Sequence, residues 1–90
     1  MKIDEKTLER HFKALANHRR LSILRLLKSR KNASVGETAE HIRLSFKATS
    51  KHLGILYAAG LVERKQLSLM VQYSVSGDII EPLKSSINML

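Results

Sequence analysis

Between Ser34 and Val62 the chain reads SVGETAEHIRLSFKATSKHLGILYAAGLV, and the punctuation of that stretch leaves few ways for it to fold. Ser34 followed three residues later by Glu37 is a capping box, in which hydroxyl and carboxylate each satisfy a backbone N–H that a helix start leaves orphaned. A short helix is expected from there to about Ile42. Past Arg43 and Leu44, Ser45 offers a second N-cap. The next helix is predicted to run to about Ala59, closed by Gly60 where a left-handed C-cap costs least. Two helices joined by a tight turn and followed at once by a strand form a helix-turn-helix, the arrangement that lets a chain lay its second helix in the major groove of DNA.

The composition of that second helix fits the reading. On a 100° wheel Thr49, Leu53 and Leu56 share one face and should bury, while Lys47, Lys51, Gly54 and Ala58 form the opposite stripe. Cations near the helix N-terminus, followed by residues with almost no side chain, suit a helix read from its first two turns. Ala48 can touch a thymine methyl, and Ser50 can pair with a base edge or a phosphate. His52, on the other shoulder, is placed to donate to a phosphate, and Ser45 to contact the backbone. Taken alone, two exposed lysines on an amphipathic helix are an ordinary solvated face. The capped helix before them, the tight turn and the charge of the whole chain favour the DNA reading.

That charge is +8 over 90 residues, with sixteen Lys and Arg against eight Asp and Glu. A balance this basic favours a polyanionic partner. It is uneven as well: no acidic residue lies between Glu9 and Glu37, whereas Arg10, Lys13, Arg19, Arg20, Arg25, Lys28, Arg30 and Lys31 do. The absence of cysteine excludes disulfides and thiolate metal sites. No apolar run is long enough to span a bilayer, and MKIDEKTLER is too polar for a signal peptide, so a cytoplasmic protein that does not bind membranes is expected.

The flanks complete a single domain over residues 1–90. Leu8, Phe12 and Leu15 mark a one-sided helix from about Asp4 to Ala16. Asn17 caps a second helix, His18 to Arg30, apolar on most sides and so expected at the centre of the core. After Gly60, LVERKQ and MVQYSV read as the strands of a hairpin joined around Leu67–Leu69. From Gly77 onward Ile79, Ile80, Leu83, Ile87 and Leu90 recur at helical spacing, with Pro82 best tolerated in a first turn. The expected fold is therefore mainly α with one β-hairpin, in the order of four helices, two strands and a helix.

These motifs together, ALANHRRLSILRLLK, SVGETAEHI, LSFKATSKHLGIL, AAGLVERK and VQYSV, resemble the ArsR-type family of winged helix-turn-helix transcription regulators in register over roughly residues 12–75. The resemblance implies a homodimer bound to an inverted-repeat operator in double-stranded DNA, acting as a repressor, with the first and last helices pairing the protomers. On that basis Ile3, Leu8, Phe12, Ile79, Leu83, Ile87 and Leu90 are the expected dimer surface. Ser45, Lys47, Ala48, Ser50, Lys51, His52, Arg64 and Lys65 are the expected DNA contacts.

The chain also departs from the family. Metal-sensing members carry cysteines in the helix that here reads Val35–Ile42, or pair Asp with His on the last helix. Here the first has no thiolate and the second has Asp78 and Glu81 without histidine, so neither a metal effector nor any cofactor is expected. The wing tip, Gln66-Leu67-Ser68-Leu69-Met70, lacks the usual arginines; its basic residues, Arg64 and Lys65, lie at the base, which weakens the expected wing contact. Two leucines at a hairpin tip mark a contact surface. The alternative function is accordingly a protein-interaction module that uses this apolar tip. Enzymatic chemistry is not expected: Ser50 and His52 face different sides of one helix, and no third group orients the histidine. RNA binding by base stacking has too few aromatics to support it.

Overall fold

The computed structural model describes residues 3–90. Its elements are α1 (Glu5–Leu15), α2 (His18–Arg30), α3 (Val35–Ile42), α4 (Phe46–Ala58), β1 (Val62–Leu67), β2 (Met70–Val75) and α5 (Leu83–Asn88). The order is the expected one, a helix-turn-helix followed by a β wing.

Short polar side chains start the four long helices. Asp4 accepts from the Thr7 amide at 2.8 Å, Asn17 from Arg20 at 3.1 Å, and Ser45 from Ala48 at 3.1 Å. At Ser34 the capping box closes in both directions: the Glu37 amide donates to Ser34 Oγ at 3.1 Å, and the Ser34 amide to Glu37 Oε1 at 2.8 Å. Gly60 takes φ +75°, as a C-terminal cap requires.

The core forms around α2. Its Ile23, Leu24 and Leu27 meet Leu53 and Leu56 of α4, Leu61 and Val62 at the start of the wing, Tyr73 of β2, and Leu83 and Ile87 of α5. Each large aliphatic side chain taken fully out of water contributes about 1.5–3 kcal/mol, which in a domain this small makes the shared cluster the main source of stability. Two threonines are buried with it. Thr38 donates to the Ser34 carbonyl at 2.7 Å, whereas Thr49 Oγ1 has no partner. Thr49 thus gives up some stability at the contact between α3 and α4, as expected of a hydroxyl where an aliphatic group would pack.

The β1–β2 ladder runs antiparallel from Val62↔Val75 to Leu67↔Met70, with Ser68 and Leu69 as its turn. A link not foreseen from the sequence ties the wing to the body. Ala33, between α2 and α3, donates to the Tyr73 carbonyl at 2.9 Å and accepts from the Tyr73 amide at 2.8 Å, adding one β-bridge beside β2.

The C-terminal segment corrects the reading of its apolar spacing. Residues 77–82 are not helical; α5 begins only at Leu83, with Pro82 at its N-cap, because proline has no amide to extend the ladder backward. Leu83 and Ile87, expected on the dimer surface, are buried in the protomer's own core. They are four residues apart on the single apolar side of α5, and α2 offers that side an uncovered face; the Lys28 ammonium fastens the far end by donating to the Asn88 carbonyl. Leu8, Ile79 and Leu90 are half-buried against the same cluster. What remains exposed near the two termini is Ile3, Phe12 at 46%, Ile80 and Met89 at 84%.

Candidate nucleic-acid interface

Burial of Thr49, Leu53 and Leu56 fixes how α4 is rotated, and the opposite stripe of Lys47, Lys51, Gly54 and Ala58 is exposed as the wheel requires. Ser50 is also exposed; Ala48 and His52 are half-buried shoulders. The turn that sets the angle of α4 is itself held tightly. Arg43 occupies the left-handed region at φ 56°, the Leu44 amide donates to the Ala39 carbonyl at 3.0 Å, and Arg19 reaches across from α2 to the Ile42 carbonyl at 2.9 Å.

Electrostatics single out this end of α4. A helix N-terminus carries partial positive charge, so stability alone favours acidic residues in its first turn. Here the first turn of α4 has no acid and carries Lys47. No carboxylate occurs anywhere from His41 to Val62. Among the described residues the ion pairs are Lys13–Glu9 at 3.6 Å and Arg30–Glu37 at 3.2 Å, and neither includes a residue of α4. The ammonium groups of Lys47 and Lys51 are therefore unneutralised, beside a helix pole that itself attracts anions.

The wing supplies two more cations. Arg64 on β1 lies over the ring of Tyr57 on α4, its guanidinium carbon 4.0 Å from the ring centroid. Stacking of this kind fixes the strand against the helix, with Tyr73 paired to Arg64 across the hairpin. Lys65, the next residue of β1, is exposed and leaves the opposite face of the strand.

His52 answers to a different partner. Arg20 on α2 donates to its Nδ1 at 3.3 Å, and the same guanidinium donates to the carbonyls of Ala14 at 2.6 Å and Lys13 at 3.0 Å. Because arginine only donates, the imidazole must be neutral with its proton on Nε2. Desolvation first, then Arg20, Lys51 and Arg19, holds the His52 pKa below its ordinary 6.5. The unfolded chain therefore takes up a proton near pH 6.5 that the folded chain refuses. The stability this group contributes is present above that pH and is lost as the pH falls through the lowered folded value. Between pH 7 and 5.5 the thermal midpoint of the wild type should fall more than that of His52→Gln, which keeps an acceptor but does not titrate. Parallel midpoint curves would count against the Arg20–His52 assignment.

The expected DNA contacts Ser45, Lys47, Ala48, Ser50, Lys51 and His52 all fall on the first two turns of α4 or its cap. Arg64 and Lys65 lie on the adjoining strand. The Ser45 hydroxyl accepts from Ala48 and still has its O–H to donate. Three residues were missed. Phe46 shares the apolar periodicity of Thr49 and Leu53, so its spacing says core. Yet it is 63% exposed, because it is the first residue of α4 and the body covers that face only from Thr49 onward. Tyr57 and Arg20 are recognisable only once the fold brings Arg64 and His52 to them.

Among the described residues no three His, Cys, Asp or Glu side chains converge as a metal site, and no helix is long and apolar enough to cross a membrane.

A sequence model of the family described as bacterial regulatory protein, arsR family, matches residues 17–64, the span from the cap of α2 through α4 into β1. The transcriptional activator HlyU of Vibrio cholerae is 38% identical over 71 residues, covering 79% of this chain and 65% of its own length. Among solved structures, HlyU from Vibrio cholerae superposes with a TM-score of 0.80 at 34% identity, over 99% of this chain and 92% of that one. A homodimeric winged helix-turn-helix DNA-binding domain from Mycobacterium bovis gives a TM-score of 0.80 at 29% identity, over 98% and 85%.

Proposed function

We infer that this chain, which belongs to the arsR family of bacterial regulatory proteins, is a homodimeric transcription regulator that reads an inverted-repeat operator with α4. The observation that carries the reading is the unneutralised pair Lys47 and Lys51 at the exposed end of a helix whose other side is locked in the core. Lys47, Ala48, Ser50 and Lys51 face base edges and adjacent phosphates. Ser45, His52, Arg64 and Lys65 hold the backbone, His52 through the Nε2–H that Arg20 fixes as a donor. The homodimeric assembly named for the Mycobacterium bovis domain supports the same assembly here, with Ile3, Phe12, Ile80 and Met89 as exposed apolar groups for the partner protomer to cover. Leu83 and Ile87 serve the protomer core beneath. Two-fold pairing lets two recognition helices read two half-sites one helical turn apart.

In this chain the repressor sense expected from the sequence and an activator role of the kind named for HlyU require the same DNA-reading surface. Which one operates depends on where the operator lies relative to the promoter. The protein acts in the cytoplasm, where its DNA is.

Selection of bound sequences from random duplexes should yield an inverted repeat. In anisotropy titrations with the selected duplex the protein should bind two chains per duplex. With about four phosphates neutralised, affinity should fall on the order of a hundredfold between 50 and 200 mM salt. A selection that returns no consensus, or one chain per duplex at saturation, would overturn this reading.

A further inference from the structure

Five consecutive residues of β1, Glu63 to Leu67, are exposed, while Tyr73 and Val71 of β2 hold the hairpin to the body and leave only its turn without cover. At the end Leu69 is 95% exposed, with Met70 at 50% and Leu67 at 44% beside it. In a chain of charge +8 this tip carries no charge at all. Such a group of side chains is costly to leave in water and calls for an occupant.

Size decides between candidate occupants. Each partner in a standard protein–protein interface gives about 800 Å², and three side chains on a two-residue turn cannot supply that. A minor-groove wedge needs far less, since one or two apolar side chains, commonly Leu, Met, Ile or Phe, suffice to part a base step.

Position favours the same answer. The hairpin is fastened to the recognition helix by Arg64 on Tyr57, and Arg64 and Lys65 supply cations toward its base. From Arg64 to the turn is four residues, about 13 Å of strand. Half of the roughly 34 Å helical repeat, about 17 Å, separates a major groove from the minor groove beside it. With α4 in the major groove and Arg64 at the phosphates between, the tip comes to the flanking minor groove.

Resting on the DNA-binding reading above, we propose that Leu69, with Leu67 and Met70 as its shoulders, is a wedge that enters the minor groove flanking each half-site and opens one base step there. The wedge selects deformable steps, TA or CA/TG, at a position where no hydrogen bond reads the base, and it bends the duplex toward the major groove.

The test uses the full chain and a 40-base-pair duplex carrying the selected operator. The duplex has a fluorophore pair at its ends and 2-aminopurine at successive flanking positions. Wild-type protein should shorten the end-to-end distance and raise 2-aminopurine emission several-fold at one step on each side. Leu69→Ser, at a fully exposed turn position that leaves the core untouched, should abolish both signals and weaken binding about tenfold, and Leu69→Met should restore them. Operator binding by the wild type with no emission change at any flanking step, or a Leu69→Ser complex bent like the wild type, would overturn the wedge and leave the tip to a protein partner. Failure of the DNA-binding reading looks different, because the wild type then shows no operator preference in the first place.

Discussion

Replacing both Lys47 and Lys51 with alanine should lower operator affinity by at least a hundredfold while leaving the thermal midpoint within a few degrees of the wild type. The two effects separate because the lysines touch water and not the core. Both are exposed on α4, neither belongs to an ion pair in the described structure, and Lys47 sits in a first turn where a cation opposes the helix dipole. Removing them therefore leaves folding almost unchanged. For binding, a lysine on a base edge contributes about 1–3 kcal/mol of discrimination, and a lysine on a phosphate lowers the salt slope by about one when lost. Together they reach the hundredfold scale. The single variants sort the roles. A base-reading lysine narrows the gap between operator and random duplex, whereas a phosphate-binding lysine weakens both equally. If both single variants and the double variant bind the operator as the wild type does, α4 is not the recognition helix.

The turn chemistry made most of the fold legible in advance. Ser34 with Glu37, Asn17, Ser45 and Gly60 are local signals whose hydrogen bonds close within three or four residues, so they do not depend on what packs around them. The outward stripe of α4 was legible for a related reason: a 13-residue helix with Thr49, Leu53 and Leu56 along one side has only one way to face a core. What periodicity cannot reveal is where an element stops being covered. Phe46 keeps the spacing of the buried stripe and is exposed because cover on that face begins only at Thr49. Leu83 and Ile87 show the converse. Their apolar spacing is the same whether the helix packs on its own protomer or on a second one, and only the free face of α2 decides it. The Ala33–Tyr73 bridge and the Arg64–Tyr57 stack join residues far apart in sequence and leave no local mark.

Arg20→Ala should destabilise the domain by about 2–3 kcal/mol, more than any other substitution of a charged residue, since it severs three elements at once. The backbone amide of residue 20, which caps α2 through Asn17, survives the substitution, so the loss falls on the side chain alone. Its guanidinium satisfies the Ala14 and Lys13 carbonyls that end α1 without helical partners, and it donates to His52 on α4. Hydrogen bonds from a charged donor contribute about 1.5–3 kcal/mol each in favourable settings, less here because the site is partly open to water. Set against the 5–15 kcal/mol typical of a whole domain, the loss is large. At 4–8 °C per kcal/mol for a chain of this length, it lowers the thermal midpoint by roughly 10–20 °C. Arg20→Lys is the informative companion. An ammonium on a shorter reach can follow one acceptor but not the planar fork of three, so it should recover less than half of the loss. The substitution should also weaken operator binding beyond what stability explains, because His52 loses the donor that fixes its tautomer and α4 loses a tie to the body. A double-mutant cycle of Arg20→Ala with His52→Gln, read in both melting and DNA titration, should show coupling between the two residues. Simple additivity would mean that the contact between Arg20 and His52 contributes nothing, and a midpoint for Arg20→Ala within about 3 °C of the wild type would mean that α1 is held by its apolar face alone.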